Sequence, residues 1–430
     1  MGNADTIFAL SSGVSPAAIA VIRISGGQAL SAVMELAGAL PPSRRASLRR
    51  LANAEGVALD DALVVIFPGP NTATGEDLAE LHLHGGRAVV RGVEAALGAM
   101  TGLRRAGPGE FTRRAFLNGR MDLNEAEGLA DLLAAETEWQ RRGALQMAGG
   151  AFSKAIEGWR EDLLGLSGTV EALLDFSDED DVSPEETINI TTRCYALHDV
   201  IQRHLAVPEA QKLYEGLRVV IAGPPNSGKS TLLNALASRE AAIVSEIAGT
   251  TRDLIDVPVA FDGIPFILTD TAGLRDDTND AIESIGIERA EAAIAAADIL
   301  LWLGGEGAGP FHANSLEVEA KVDDPFHITK SASALKLSAK TNDGMAELIQ
   351  WLTTTAQTLL PPPDSFAINA RQTALLSDAS ISLSAAANAA DLLVTAEELR
   401  QARLALDALT GRASTEDMLD ALFGRFCIGK

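Results

Sequence analysis

A chain of 430 residues is long enough for about three domains of ordinary size. Its 35 Lys and Arg stand against 59 Asp and Glu, and the formal charge of −24 excludes a general polyanion binder held by phosphate neutralisation. Composition alone therefore predicts no nucleic-acid partner, and the 4% aromatic content leaves the cores to Ala, Leu, Ile and Val, which favours close-packed helices.

At the N-terminus no basic segment leads into an apolar core, so no signal peptide is expected. Met1-Gly2-Asn3-Ala4-Asp5-Thr6 fits the short myristoylation pattern, which chance supplies readily. Residues 1–118 alternate β-type runs (Ile19–Ile24, Ala62–Phe67, Leu81–His84) with Gly and Pro, the pattern of an α+β domain. Residues 119–213 turn helical, with apolar residues three and four apart from Leu123 to His204; the acidic stretch Asp178–Glu186, with Pro184, reads as a solvated loop between helices. Residues 214–360 form an α/β block that opens on the buried-strand run Arg218–Ala222. Its most hydrophobic stretch, Ala292–Leu303, is interrupted by Asp298 and is too short to span a membrane. Pro361-Pro362-Pro363 marks a boundary, and residues 361–430 return to Ala- and Leu-rich helix. Each helical block alone leaves an apolar stripe open. The economical arrangement is one helical domain built from both, with the α/β domain inserted between them. Cys194 and Cys427 are too far apart in sequence for a metal-ligand pair or a disulfide framework, as expected of a cytoplasmic chain without a membrane anchor.

Gly223-Pro224-Pro225-Asn226-Ser227-Gly228-Lys229-Ser230 fits G-x-x-x-x-G-K-[ST] between a strand and a helix. Its glycines let backbone N–H groups converge on phosphate oxygens. Lys229 offers a point charge to the β and γ phosphates and Ser230 a hydroxyl to Mg²⁺, with Ser227, Gly228 and Thr231 completing the cradle. Asp270-Thr271-Ala272-Gly273, after the run Phe266–Leu268, supplies an acid for the Mg²⁺ shell and a Gly amide for the γ-phosphate. Gly249-Thr250-Thr251-Arg252-Asp253 lies between the two and offers a loop threonine to the metal. Ser338-Ala339-Lys340 follows a short strand near the end of the block. This ordered series resembles the translation-factor-type GTPases, so GTP rather than ATP is the expected nucleotide. Where those proteins read guanine with Asn-Lys-x-Asp, the best match is Ala320-Lys321-Val322-Asp323. Asp323 still accepts from guanine N1 and N2, which adenine cannot donate. The missing Asn costs about 0.5–1.5 kcal/mol, so weaker nucleotide binding with guanine preference retained is expected.

Beyond the nucleotide motifs, the sequence resembles the MnmE (TrmE) family, GTPases of tRNA wobble-uridine modification, over essentially its whole length. The resemblance is carried by Asp5-Thr6-Ile7, Val21–Gly26, Pro70-Asn71 through Thr74-Gly75-Glu76-Asp77 to Gly85-Gly86, and Pro108–Thr112. It continues with Ala115–Gly119 and the C-terminal Phe426-Cys427-Ile428-Gly429-Lys430. It implies a multidomain fold: an α+β N-terminal folate-binding domain, an all-α helical domain, and an inserted α/β Ras-like P-loop GTPase domain. It implies K⁺-activated GTP hydrolysis, with K⁺ held by Asn226, Ser245, Ile247 and Thr250 and with Thr251 brought to Mg²⁺. Glu283, on residue type alone a solvated helix-start carboxylate, matches the residue that orients the attacking water. Arg23, Glu80, Arg120 (usually Lys) and Lys430 correspond to a pocket for 5-formyl- or methylene-tetrahydrofolate. The implied assembly is a homodimer that joins MnmG (GidA), the FAD carrier, in a heterotetramer acting on tRNA. Cys427 is either a reactive thiol or a small buried residue, with the non-catalytic role preferred. His82 and His84 alternate on a strand with no third ligand near, so no metal is expected there. A regulatory ribosome-assembly GTPase is the alternative, disfavoured because no basic RNA-binding segment is present: Arg44-Arg45 and Arg113-Arg114 are too scattered. A folate enzyme whose GTPase is only regulatory is a third. The exclusion of nucleic acid thus narrows to weak RNA binding by this chain alone, with the substrate reached through a complex.

Overall fold

The structure is a computed structural model that describes residues 5–175, 184–239, 256–271, 289–327, 329–330, 334–363, 365–412, 416–424 and 426–429. The chain divides into two compact units: Met1–Ala130 with Asp407–Lys430, and Asp131–Leu406.

The first unit is built on a six-stranded sheet of β1 (Thr6–Leu10), β2 (Ile19–Ser25), β3 (Ser47–Ala52), β4 (Ala58–Phe67), β5 (Leu78–His84) and β6 (Leu103–Arg105). The spatial order is β3-β4-β5-β2-β1-β6, antiparallel except for the parallel pair β1–β6. Alternation along β2 and β5 sends Ile22, Ile24, Leu81 and Leu83 to one face. There they pack with Val33 of α1 (Ala29–Ala37) and Val93 and Leu97 of α2 (Arg87–Gly98). Arg23, Glu80 and His82 alternate with those residues and take the opposite face. Helix α3 (Glu110–Leu117) follows, and α4 (Leu123–Ala134) leads toward the second unit.

In the second unit, α5 (Glu138–Ala148), α6 (Ala151–Asp175), α7 (Pro184–Leu205) and α8 (Gln211–Glu215) precede β7 (Leu217–Ala222). Helix α9 (Lys229–Arg239) and strands β8 (Asp256–Phe261), β9 (Ile264–Asp270), β10 (Ile299–Trp302), β11 (Ser315–Glu319) and β12 (Leu335–Lys336) complete the α/β part. The sheet order is β12-β11-β10-β7-β9-β8, with all pairs parallel except the edge pair β8–β9. Parallel strands buried on both faces explain the near-continuous apolar runs Val219–Ala222 and Ile299–Leu301. Helices α10 (Met345–Leu359), α11 (Ala370–Asn388) and α12 (Leu392–Leu409) follow; α12 runs on into the first unit, whose last helix is α13 (Glu416–Phe423). Capping boxes at Thr137/Gln140 and Asn369/Gln372 start α5 and α11.

The cores depart from the purely aliphatic expectation. Several of the few aromatics are placed centrally: Phe8, Phe152, Phe261, Phe266 and Phe423 are among the largest fully buried side chains, whereas Phe311 and Phe326 are exposed. His204 stacks on Phe366 at 5.1 Å and lies 5.3 Å from Trp159, and Phe152 sits 5.1 Å from Phe366. A large rigid ring fills space that several alanines cannot, so a composition rich in Ala raises the value of each aromatic. No helix among the described residues is long and apolar enough to cross a membrane. The Asp178–Glu186 loop reading falls mainly outside the described residues; from Pro184 onward the chain is already helical.

Candidate nucleotide-binding site

The carboxyl ends of β7, β9, β11 and β12 carry the motif residues, because parallel strands present all their following loops on one edge. The phosphate loop leaves central β7. Gly223 has φ 151°, and a Cβ there would lie 3.1 Å from Gly304 N and from Ser227 Oγ, so only Gly permits the turn. Lys229, the first residue of α9, is 5% exposed and folds back into its own loop, Nζ donating to the Gly223 and Pro224 carbonyls at 2.9 Å each. Ser230 Oγ donates to Asp270 Oδ2 at 2.6 Å, joining the start of α9 to the end of β9. Thr271 Oγ1 donates to the Ile221 carbonyl at 3.1 Å. Ser227 Oγ is buried with no hydrogen-bond partner among the described residues. An orphaned hydroxyl inside a glycine loop at a helix N-terminus fits a phosphate oxygen, and the Ser230–Asp270 pair is a hard oxygen donor set suited to Mg²⁺. Thr231 is exposed on the first turn of α9.

The loops expected to read the base meet the same edge. Lys321, with φ 61°, donates from Nζ to the Asn226 carbonyl at 2.7 Å and passes over Gly228, where a Cβ would lie 3.4 Å from Lys321 Cε. Ser338 Oγ donates to Asp323 Oδ1 at 2.6 Å, and that bond holds the Asp323 carboxyl below its ordinary range. The same buried hydroxyl accepts from the N–H groups of Lys340 (3.2 Å) and Thr341 (3.1 Å), while Ala339 packs partly buried on the domain core. Loops 320–323 and 338–340 are thus tied together beside the phosphate loop. Asn226 is exposed at the loop apex in a left-handed conformation. Ser245, Ile247, Thr250, Thr251, Ala272, Gly273, Glu283 and Lys430 lie outside the described residues.

A second cluster occupies the open face of the first unit's sheet. Arg23 and Glu80 are register partners on β2 and β5, and Arg23 donates to Glu80 Oε1 from Nη2 at 2.9 Å and from Nε at 3.2 Å. The guanidinium also stands 5.9 Å from the Phe111 ring centroid. His82 Nε2 is 3.4 Å from Glu80 Oε2, whereas His84 pairs with Asp60 at 2.7 Å. The two histidines therefore face different carboxylates, and no group of three potential metal ligands occurs among the described residues. Arg120 is exposed beside Gly75, and no hydrogen bond among the described residues joins its side chain to Arg23 or Glu80. The C-terminal segment reaches this unit: Pro108 bridges Ile428, Ser11 Oγ donates to the Gly429 carbonyl at 2.8 Å, and Gly429 abuts Leu10. Leu10 is the register partner of Ile22, one residue before Arg23. Cys427 is exposed rather than buried, and burial pushes the Cys194 thiol up to about 11.

Sequence reasoning missed Arg114. It is 1% exposed, and its guanidinium donates to Asp5, Glu76 and Glu110 at 3.0–3.3 Å. Its neighbour Arg113 is paired with Glu416 and Asp420, so the Arg113-Arg114 dipeptide presents no free basic surface.

A parallel sheet with a phosphate loop, a Ser–Asp pair at its mouth and cross-linked base loops defines a P-loop nucleotide-binding protein of the GTPase type. Comparison with known families is specific: the MnmE helical domain matches residues 123–427, and the N-terminus of the GTP-binding protein TrmE matches residues 6–120. The tRNA modification GTPase MnmE of Erythrobacter litoralis is 59% identical over 426 residues, covering 99% of this chain and all of that relative. Those of Rhizorhabdus wittichii and Zymomonas mobilis are 57% and 47% identical, each covering 99% of this chain. Among solved structures, the G domain of the T. maritima FeoB iron transporter overlaps 33% of the chain at 19% identity with a TM-score of 0.24. The chain belongs to the MnmE (TrmE) family.

Proposed function

We propose that the chain is a GTP hydrolase of tRNA modification, working in the cytoplasm on the C5 position of wobble uridines. The observation that carries this reading is that one sheet edge holds Lys229, Ser230 and Asp270 together with the Asp323–Ser338 pair. On binding GTP, Lys229 exchanges its two loop carbonyls for β- and γ-phosphate oxygens, and the loop amides with Ser227 complete the cradle. Asp323, kept ionised by Ser338, accepts from guanine N1 and N2. Ser230 and Thr251 would hold Mg²⁺, with Asp270 in its outer shell; bound there it draws charge from the β and γ oxygens. Glu283 orients the attacking water.

The finer reading follows the family. Asn226, with Ser245, Ile247 and Thr250, would hold K⁺, which supplies the positive charge that an arginine finger supplies elsewhere, a role worth about 10³–10⁵ in rate. Residues 214–360 are the G domain, 119–213 and 361–430 the helical domain, and 1–118 the tetrahydrofolate-binding and dimerisation domain. There Arg23, Glu80, Arg120 and Lys430 would take the folate, which brings the one-carbon unit. A homodimer joins MnmG, whose FAD handles redox, and the added group is carboxymethylaminomethyl or aminomethyl.

Nucleoside mass spectrometry of tRNA from a deletion strain tests the main reading: loss of the modified wobble uridine is expected, and an unchanged profile overturns it. GTP turnover is expected to be at least about tenfold faster in K⁺ than in Na⁺; equal rates, or an unaltered cation response in Asn226→Lys, overturn the cation assignment.

A further inference from the structure

Glu319 ends β11, one residue before the base-reading loop, and is 1% exposed. None of the phosphate or guanine contacts above uses it. Its carboxylate is held from three directions. His327 Nε2 donates to Oε1 at 2.9 Å, the Lys330 N–H donates to Oε2 at 3.0 Å, and Lys336 Nζ of β12 stands 3.7 Å from Oε2. A buried carboxylate needs such partners to offset its desolvation.

Between Glu319 and His327 runs the loop that carries Lys321 and Asp323. Its internal bonds are few: Asp324 N–H to the Lys321 carbonyl (2.8 Å) and Phe326 N–H to Asp324 Oδ1 (2.9 Å). Ala320 has no side-chain polar atom to add. His327 closes the neck. Its own N–H donates to the Asp324 carbonyl at 3.0 Å, Nδ1 donates to the same oxygen at 2.7 Å, and Nε2 reaches back to Glu319. Both groups facing the ring, a carbonyl and a carboxylate, accept only. Satisfying both requires N–H on each nitrogen, which is the imidazolium. The Asp324 carbonyl first, and Glu319 second, raise the His327 value above its ordinary one. The other charges here are Lys321, Asp323 and Asp324 in the loop, Lys336 on β12, and Lys330 with Glu317, which pair with each other at 2.5 Å.

We propose that His327 is a positioning residue for guanine recognition, clamping the neck of loop 320–326 to buried Glu319 and so fixing Asp323 against the base. The inference rests on Asp323 as the guanine acceptor. The clamp is complete while the imidazolium persists and is lost as pH rises through its folded-state value, so guanine discrimination declines with rising pH.

The test titrates the full-length chain with GDP, ADP and inosine diphosphate, which lacks the guanine 2-amino group, between pH 6 and 8. Wild type is expected to favour GDP over inosine diphosphate at pH 6, with the ratio shrinking toward pH 8. His327→Gln is expected to bind GDP about tenfold more weakly at pH 6, with a pH-independent ratio and an unchanged ADP affinity. His327→Lys is expected to restore the pH 6 ratio at both ends of the range. A wild-type ratio that stays flat with pH, or a His327→Gln protein with the wild-type ratio and profile, overturns the clamp. Wild type that binds ADP as well as GDP overturns the Asp323 reading instead.

Discussion

Arg114 donates to the Asp5 carbonyl and carboxylate, to both oxygens of Glu76 and to Glu110, while Arg104 also pairs with Glu110 and Asp5. Burial alone would raise Glu110 and Asp5, but the Arg104 bonds and the Arg114 charge hold both below their ordinary values of 4.5 and 3.8. Arg114→Met leaves Glu76 and Glu110 without that guanidinium and is expected to destabilise by about 3–5 kcal/mol at pH 7. Acids with depressed folded-state values stabilise above their unfolded values and lose that contribution as pH falls through the folded ones. Thermal melts of wild type and Arg114→Met should therefore differ most at pH 7 and converge below pH 4; a gap that widens in acid would contradict the assignment. None of this was legible in the sequence, because Arg114 meets Asp5 and Glu76 across 109 and 38 residues. Lys229 and Ser230 were legible because a phosphate loop is local: eight consecutive residues determine where both side chains go.

At the scale of elements, the α/β alternation of residues 217–360 and the apolar runs of β7, β9 and β10 could be read directly, since buried parallel strands need no polar face. The order β3-β4-β5-β2-β1-β6 could not, because it depends on which non-adjacent strands pair. The C-terminal segment was recognisable as a motif, but its seat was not. Gly429 has φ 99°, and a Cβ there would fall 2.1 Å from the Leu10 carbonyl oxygen. Gly429→Ala is thus expected to unseat residues 426–429 while leaving the phosphate loop intact. Tetrahydrofolate binding by calorimetry should fall about tenfold or more with GDP affinity unchanged; equal folate affinity would remove the segment from the pocket.

For the whole molecule, the charge of −24 leads to the expectation that this chain alone binds RNA weakly. Of the scattered arginine pairs, Arg113 and Arg114 are committed to acidic partners. Filter binding of tRNA to the chain alone at physiological salt is expected to give a Kd no tighter than about 10⁻⁶ M. Nanomolar binding without a partner would contradict the expectation that the substrate is reached through a complex.

The division of the chain, with Asp407–Lys430 completing the unit begun by Met1–Ala130, has a consequence for biosynthesis. Roughly 280 residues separate the two parts, and at about 5–20 residues per second the ribosome takes about 14–55 s to cross them. The early sheet emerges first but must wait, without α13 and the strip that seats on Leu10, while the second unit is translated and gains time to fold. Completion of the first unit therefore awaits translation of Asp407–Lys430, and a nascent chain truncated before Asp407 carries an entire phosphate loop but an unfinished first unit.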